Sequence, residues 1–194
     1  GTSDNCGSVT FTIDAADSEW TCADVGVQTV TLTATDANGN VSTCDAQVTI
    51  ENNVEPTVSC QDITVYLDGT GNISIIADDV NGGSNASCGL SSLTVSPDAF
   101  DCSNIGANSV TLTATDSTGN VTTCNATVTV LDTISPTAVC QDVTVDLDAA
   151  GNIVIDAADL DGGSSDNCGV ASVTVDSGQL NTTLDCSTVG SNTV

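Results

Sequence analysis

Val110–Cys124 reads VTLTATDSTGNVTTC, and Val30–Cys44, eighty residues earlier, reads VTLTATDANGNVSTC. A second pair of landmarks keeps the same interval: Cys60-Gln61-Asp62 recurs as Cys140-Gln141-Asp142. A repeat of this length must fold as one unit, and the chain must be a series of such units. Within the motif, Val110, Leu112 and Ala114 alternate with Thr111, Thr113 and Thr115, the period-2 pattern of a half-buried strand. Turn residues follow, Ser117-Thr118-Gly119-Asn120 in one copy and Ala37-Asn38-Gly39-Asn40 in the other. Cys124, Ala126, Val128 and Val130 then share one face. Each copy is therefore expected to be a β-hairpin with one apolar face and one face of Thr.

The complete unit between Pro56 and Ser135 predicts further short strands. Thr57–Leu67 reads as a strand whose inward parity changes at Gln61-Asp62, as a bulge would change it. Asp68–Asn72 is a turn and Ile73–Ile76 a return strand. Ala77–Ser87 is a loop with room for one helical turn, and Leu90–Ser96 is a strand stopped by Pro97. Short strands, regular turns and no helical period predict an all-β fold: tandem β-sandwich repeats of about 80 residues, head to tail. The expected division is residues 1–55, the C-terminal part of one repeat; 56–135, a complete repeat; and 136–194, the N-terminal part of a third. The chain thus reads as a window onto a longer repetitive polypeptide, with any signal peptide outside it.

Composition narrows the function. The 194 residues include 26 acidic side chains and no Lys, Arg or His, for a formal charge of −26. Only Glu19, Glu51 and Glu55 are Glu; the other acids are Asp. Without cationic side chains nothing can neutralise phosphates, which argues against nucleic acid and anionic membranes as partners. No apolar run is long enough for a spanning helix. The absence of His and Lys removes the imidazole base and the Schiff-base amine, and an Asp pair alone is weak ground for a hydrolase, so no enzyme activity is expected. Self-repulsion at this charge calls for an offset such as bound cations.

Ten cysteines without a Cys-x-x-Cys pair point to disulfides and an oxidising compartment. Two pairings fit the spacing. One stays within a unit: Cys60–Cys124, Cys88–Cys102, Cys6–Cys22 and Cys168–Cys186, with Cys44 and Cys140 bonded beyond the window. The other joins neighbours throughout, including Cys44–Cys60 and Cys124–Cys140. The first is favoured, because the strand starting at Cys44 and the linker after it would carry Cys60 far beyond the ~7 Å that a disulfide spans.

The run SDNCG at Ser165–Gly169 and Ser3–Gly7, a Cys before Val-Gly or Ile-Gly, and TVTLTATDANGNVSTC together resemble the hyalin repeat (HYR) family. They are most similar to tandem HYR-like, Ig-like repeats of large secreted surface proteins of Bacteroidetes. The resemblance implies Ig-like sandwiches with roles in adhesion and extracellular structure. It also implies possible O-glycans at Asp-Ser and Asp-Thr sites such as Ser117 and Thr133. Asn72 and Asn125 lie in N-x-S/T sequons. The central unit departs from the motif, with Ala86-Ser87 where the others have Asp-Asn.

Calcium is the expected cofactor, because it takes oxygens from carboxylates, amides and carbonyls. Asp36, Asn38 and Asn40, echoed by Asp116 and Asn120, place oxygens at alternate turn positions; the competing role is to make the turn itself. Asp156, Asp159, Asp161 and Asp166 gather four carboxylates in one loop, which is costly without a cation. The sequence reading is thus a non-catalytic repeat of an extracellular filament or adhesin stalk, whose partners are copies of itself, further repeats or glycans. Its alternative is a spacer or carbohydrate-binding module of a larger secreted protein.

Overall fold

A computed structural model describes residues 8–14, 19–175 and 181–185. Their regular elements are mostly β-strands, with single helical turns at Cys22–Asp24, Ala77–Val80, Cys102–Asn104 and Ala157–Leu160. They form two compact units, each taking segments from more than one sequence repeat.

The first unit comprises Gly1–Gln61, Ile76–Ser96 and Thr111–Ala126. Its sheet of three strands runs β1 (Thr10–Ile13), β2 (Gly26–Thr35) and β3 (Val41–Ile50), in the order β1-β2-β3. Strands β2 and β3 are the expected hairpin, paired without a slip from Gly26↔Ile50 to Thr35↔Val41. Gly39 completes the turn at φ +85°, a conformation that costs a residue with Cβ and costs glycine little. The segment Ala77–Val80 buries Val80 completely.

The second unit comprises Asp62–Ile75, Pro97–Val110 and Thr127–Val194. It contains β4 (Ile63–Tyr66), β5 (Asn72–Ser74) and β7 (Ala99–Asp101), with β5 and β7 antiparallel. It also holds β10 (Asn152–Asp156) and β11 (Asn181–Asp185), paired in the same way. The pairs Ile73↔Phe100 and Ile153↔Leu184 occupy corresponding places in successive repeats. Its buried apolar residues include Leu67, Ile75, Phe100, Val110, Val128, Val130 and Ile155, each contributing on the order of 1.5–3 kcal/mol.

The remaining strands are β6 (Leu90–Ser96), β8 (Gly106–Asp116) and β9 (Val121–Leu131), and the sheet order is β4-β9-β8-β6. Strand β8 alternates as its sequence requires, with Val110, Leu112, Ala114 and Asp116 buried and the intervening Thr residues half-exposed. Strand β4 lies parallel to β9, from Ile63↔Val128 to Tyr66↔Leu131.

The expected strand Thr57–Leu67 is shorter than its pattern suggests. Only Ile63–Tyr66 is strand; Thr57 and Cys60 make isolated bridges to Asn85 and Asn81. The change of partner is the cause of the parity change. Gln61 N–H donates to the Val80 carbonyl (2.9 Å), while Asp62 turns its carboxylate to the Thr127 N–H (2.7 Å).

Candidate functional site

Among the described residues three disulfides join cysteines 64 to 66 apart: Cys22–Cys88, Cys60–Cys124 and Cys102–Cys168. Cys60–Cys124 is the bond expected within the complete repeat. The expected Cys88–Cys102, Cys6–Cys22 and Cys168–Cys186 are corrected, since Cys22, Cys88, Cys102 and Cys168 have other partners. Cys6 and Cys186 lie outside the described residues.

Strand geometry explains why Cys88 and Cys102 do not meet. Leu90 pairs with Asp116, so Cys88 lies at the Asp116 end of β8. Cys102 lies in the turn that precedes Gly106, where β8 begins. An eleven-residue strand is about 36 Å long, several times the ~7 Å a disulfide allows. Closeness in sequence misled because the strand between them carries the chain from one end to the other. Instead, the turn cysteine of each repeat bonds the loop cysteine of the next. Cys22 and Cys102 are equivalent, as are Cys88 and Cys168, so one staple occurs twice.

Each staple is set in polar contacts. In the first unit, Ser117 Oγ donates to the Cys88 carbonyl (2.6 Å) and Ser117 N–H to the Gly89 carbonyl (3.1 Å). The neighbouring Asp116 carboxylate receives five hydrogen bonds: Oδ1 from Thr118 N–H, Thr118 Oγ1 and Asn120 N–H, and Oδ2 from the Asn52 and Asn120 amides. Asn120 Nδ2 also donates to the Asn52 carbonyl (2.9 Å), so linker and turn clasp each other. Burial raises the Asp116 carboxyl pKa, but the donors from Asn120 and Thr118 outweigh it and hold the value at about 2.

In the second unit, Asn167 Nδ2 donates to the Asp68 carbonyl and to Asp132 Oδ1, both at 3.2 Å. Gly71 is buried here at φ +75°; a Cβ would stand 2.7 Å from Cys102 Sγ and 2.8 Å from the Asn167 carbonyl. Only glycine lets the turn approach this closely. Ser87 stands in the central repeat where Asn167 stands here, so the linker clasp through that amide belongs to the Asp-Asn form of the motif.

The candidate calcium ligands divide into two groups. Asp36 accepts from Asn38 N–H, Asn40 N–H and the Asn40 amide, and the last of these bonds leads in lowering its pKa. Asp36 and Asp116 therefore use their lone pairs as turn caps, and Asn40 and Asn120 face them with N–H donors, which suits a turn better than a cation. Asp159 accepts from Asp156 N–H, and Asp161 from Gly163 and Ser164 N–H. Asp161 is lowered chiefly by Ser164. The fourth acid differs. Asp166 Oδ2 accepts from Cys168 N–H, but Asp166 Oδ1 and its neighbour Asn167 Oδ1 are buried acceptors without a donor. Orphan oxygens on two consecutive residues are of the type a hard cation takes. Sequence reasoning had Asp166 but missed Asn167, which is visible as the second residue of the Asp-Asn pair before Cys168.

Of the suggested glycan sites, Ser117 and Thr133 are exposed, with Ser117 Oγ already donating to Cys88. Asn72 Nδ2 donates to Thr70, and Asn125 Oδ1 accepts from Thr111 Oγ1 (3.0 Å) across the hairpin. Among the described residues no helix is long and apolar enough to cross a membrane.

No protein-family model matches this sequence, and no curated protein matches it.

Proposed function

We propose that this chain is a non-catalytic structural repeat of an extracellular filament or adhesin stalk, built from tandem Ig-like sandwiches standing head to tail. The observation that carries this reading is the pair of disulfides Cys22–Cys88 and Cys102–Cys168, each joining one sequence repeat to the next. The complete repeat, about 80 residues with Tyr66 and Phe100 as its only aromatic side chains, has little apolar bulk for its core. Covalent closure of long loops compensates by restricting the unfolded chain, each bridge contributing roughly 2–4 kcal/mol. The side chains around the staples are amides, hydroxyls and carboxylates bonded to backbone, a set suited to holding shape.

Calcium enters this reading as an offset to the charge of −26, held in part by Asp166 Oδ1 and Asn167 Oδ1. Disulfides favour an oxidising compartment, which supports a location outside the cell or on its surface. Its partners are further copies of the repeat. Electron microscopy of the native secreted material tests the reading. Long thin filaments or stalks with an axial repeat are expected; isolated globules with an enzymatic activity that copurifies would overturn it.

A further inference from the structure

We propose that each joint between repeats is keyed by a matched pair of side chains, a linker residue and the residue before the loop cysteine of the following repeat: Asn52 with Ser87 at one joint, Asp132 with Asn167 at the next. The proposal rests on the reading of the chain as tandem repeats of a stalk, and names what fits one repeat to its neighbour.

The two linker residues are repeat equivalents and shape the linker alike. Asn52 Oδ1 accepts from Val54 N–H (3.2 Å), and Asp132 Oδ1 accepts from Ile134 N–H (3.1 Å). They differ in what they offer the following repeat. Asn52 Nδ2 donates to Asp116 Oδ2 and to Thr118 Oγ1, both at 2.9 Å. Asp132 has no N–H in its side chain, and Oδ1 instead accepts from Asn167 Nδ2 (3.2 Å). An amide therefore crosses each joint, from linker to repeat at the first and from repeat to linker at the second.

Ser87 and Asn167 are repeat equivalents too. Where the linker brings the amide, the loop carries Ser; where the linker brings a carboxylate, the loop carries the amide. The wrong combination has a clear defect. An Asp at position 52 would stand against Asp116, which is 1% exposed, and would remove one of its donors. Two carboxylates at hydrogen-bond distance cannot both stay ionised, and a buried acceptor that loses its donor is costly. An Asn at position 87 would supply the linker acid with a donor, as Asn167 supplies Asp132. The turn acid is compatible with that form, because the first repeat carries both Asn5 before its loop cysteine and Asp36 in its turn.

Each pair also borders the staple of its own joint. Ser117, beside Asp116, holds the Cys88 and Gly89 carbonyls, so the turn that receives Asn52 also holds the loop of the Cys22–Cys88 bond. At the second joint Asn167 precedes Cys168, which is bonded to Cys102. Asn167 Nδ2 donates as well to the Asp68 carbonyl (3.2 Å), in the turn that contains Gly71. Losing a matched pair should therefore open the staple beside it and spare the other.

The test follows the reduction of each staple in the full oxidised chain by dithiothreitol, with the freed thiols alkylated and mapped. N52D should speed reduction of Cys22–Cys88 by roughly tenfold or more and leave Cys102–Cys168 at its wild-type rate. N52A, which adds no charge, should move the same bond in the same direction. S87N should return N52D to within about threefold of wild type. It should not rescue N52A, whose side chain accepts nothing. Wild-type rates in N52D and N52A, equal acceleration of both staples, no return when S87N joins N52D, or equal rescue of N52A would overturn the pairing. Should N52D fail to form its staples, N52D with S87N must form them, and its failure would also overturn the pairing. These rates come from the single chain. Globules in electron micrographs beside rates as expected would remove the stalk and leave the keyed joint standing; unresponsive rates beside filaments would remove the key alone.

Discussion

The staples make the oxidised chain almost inextensible between Cys22 and Cys168. A pull along the backbone enters at Cys22, crosses the bond to Cys88, runs to Cys102 and crosses to Cys168. Both 66-residue loops are bypassed. What remains under load is the segment from Cys88 to Cys102, ~14 residues or about 50 Å when fully drawn out at ~3.5 Å each. The two bridges add 5.4 Å apiece between Cα atoms. The ceiling is therefore about 60 Å. Pairing within repeats, with only Cys60–Cys124 bypassing sequence, would leave about 82 residues loaded, or roughly 290 Å. The fully reduced segment would reach about 500 Å. Force spectroscopy with handles attached at the exposed Glu19 and Val170 separates these lengths, each lengthened by about 20 Å for the flanking residues. Extension beyond about 100 Å without reductant would refute the pairing and the argument built on it.

Four further outcomes are expected. Leu112 is fully buried, so L112A should lower stability by about 2–5 kcal/mol; L32A, at the half-exposed equivalent, should cost clearly less, and equal losses in denaturant melts would contradict the burial difference. D116N should destabilise at neutral pH, but its deficit should shrink as pH falls. Asp116 has a folded pKa depressed to about 2, so its contribution is full above the ordinary carboxyl pKa of ~3.9 and is lost between there and about 2; a deficit unchanged at pH 2 would be the wrong result. G71A should leave Cys102 and Cys168 as titratable thiols, whereas G69A, with open space at its Cβ, should not; equal thiol counts would remove the packing argument. Excess chelator should lower the melting temperature of wild type but not of D166N, and a wild-type melting curve unmoved by chelator would count against structural calcium.

Much of the fold is legible in local pattern. The β2–β3 and β8–β9 hairpins follow from alternating Val, Leu and Ala against Thr, and Leu90–Ser96 starts and stops where Gly89 and Pro97 require. What could not be read locally is which segment covers which. Strands β3 and β9 carry almost the same residues, yet among the described residues β3 is exposed while β9, which a strand from distant sequence pairs with, buries Ala126, Val128 and Val130. Cys60–Cys124 is legible in the spacing, but the partners of Cys88 and Cys102 escape it for the same reason. Cys88 and Cys102 are close along the chain but separated by the length of β8, and the true partners lie 66 residues away. The candidate site was partly legible. Asp36 and Asp116 were recognised as either turn makers or ligands, and only the direction of the Asn40 and Asn120 amides distinguishes the two roles.

The most direct test of the central claim, that successive repeats are sewn together, is a non-reducing peptide map of the secreted protein. With no Lys or Arg for trypsin, a protease cutting at Asp is the suitable tool. The account requires peptides joined through Cys22–Cys88, Cys60–Cys124 and Cys102–Cys168. A peptide joined through Cys88–Cys102 would contradict it.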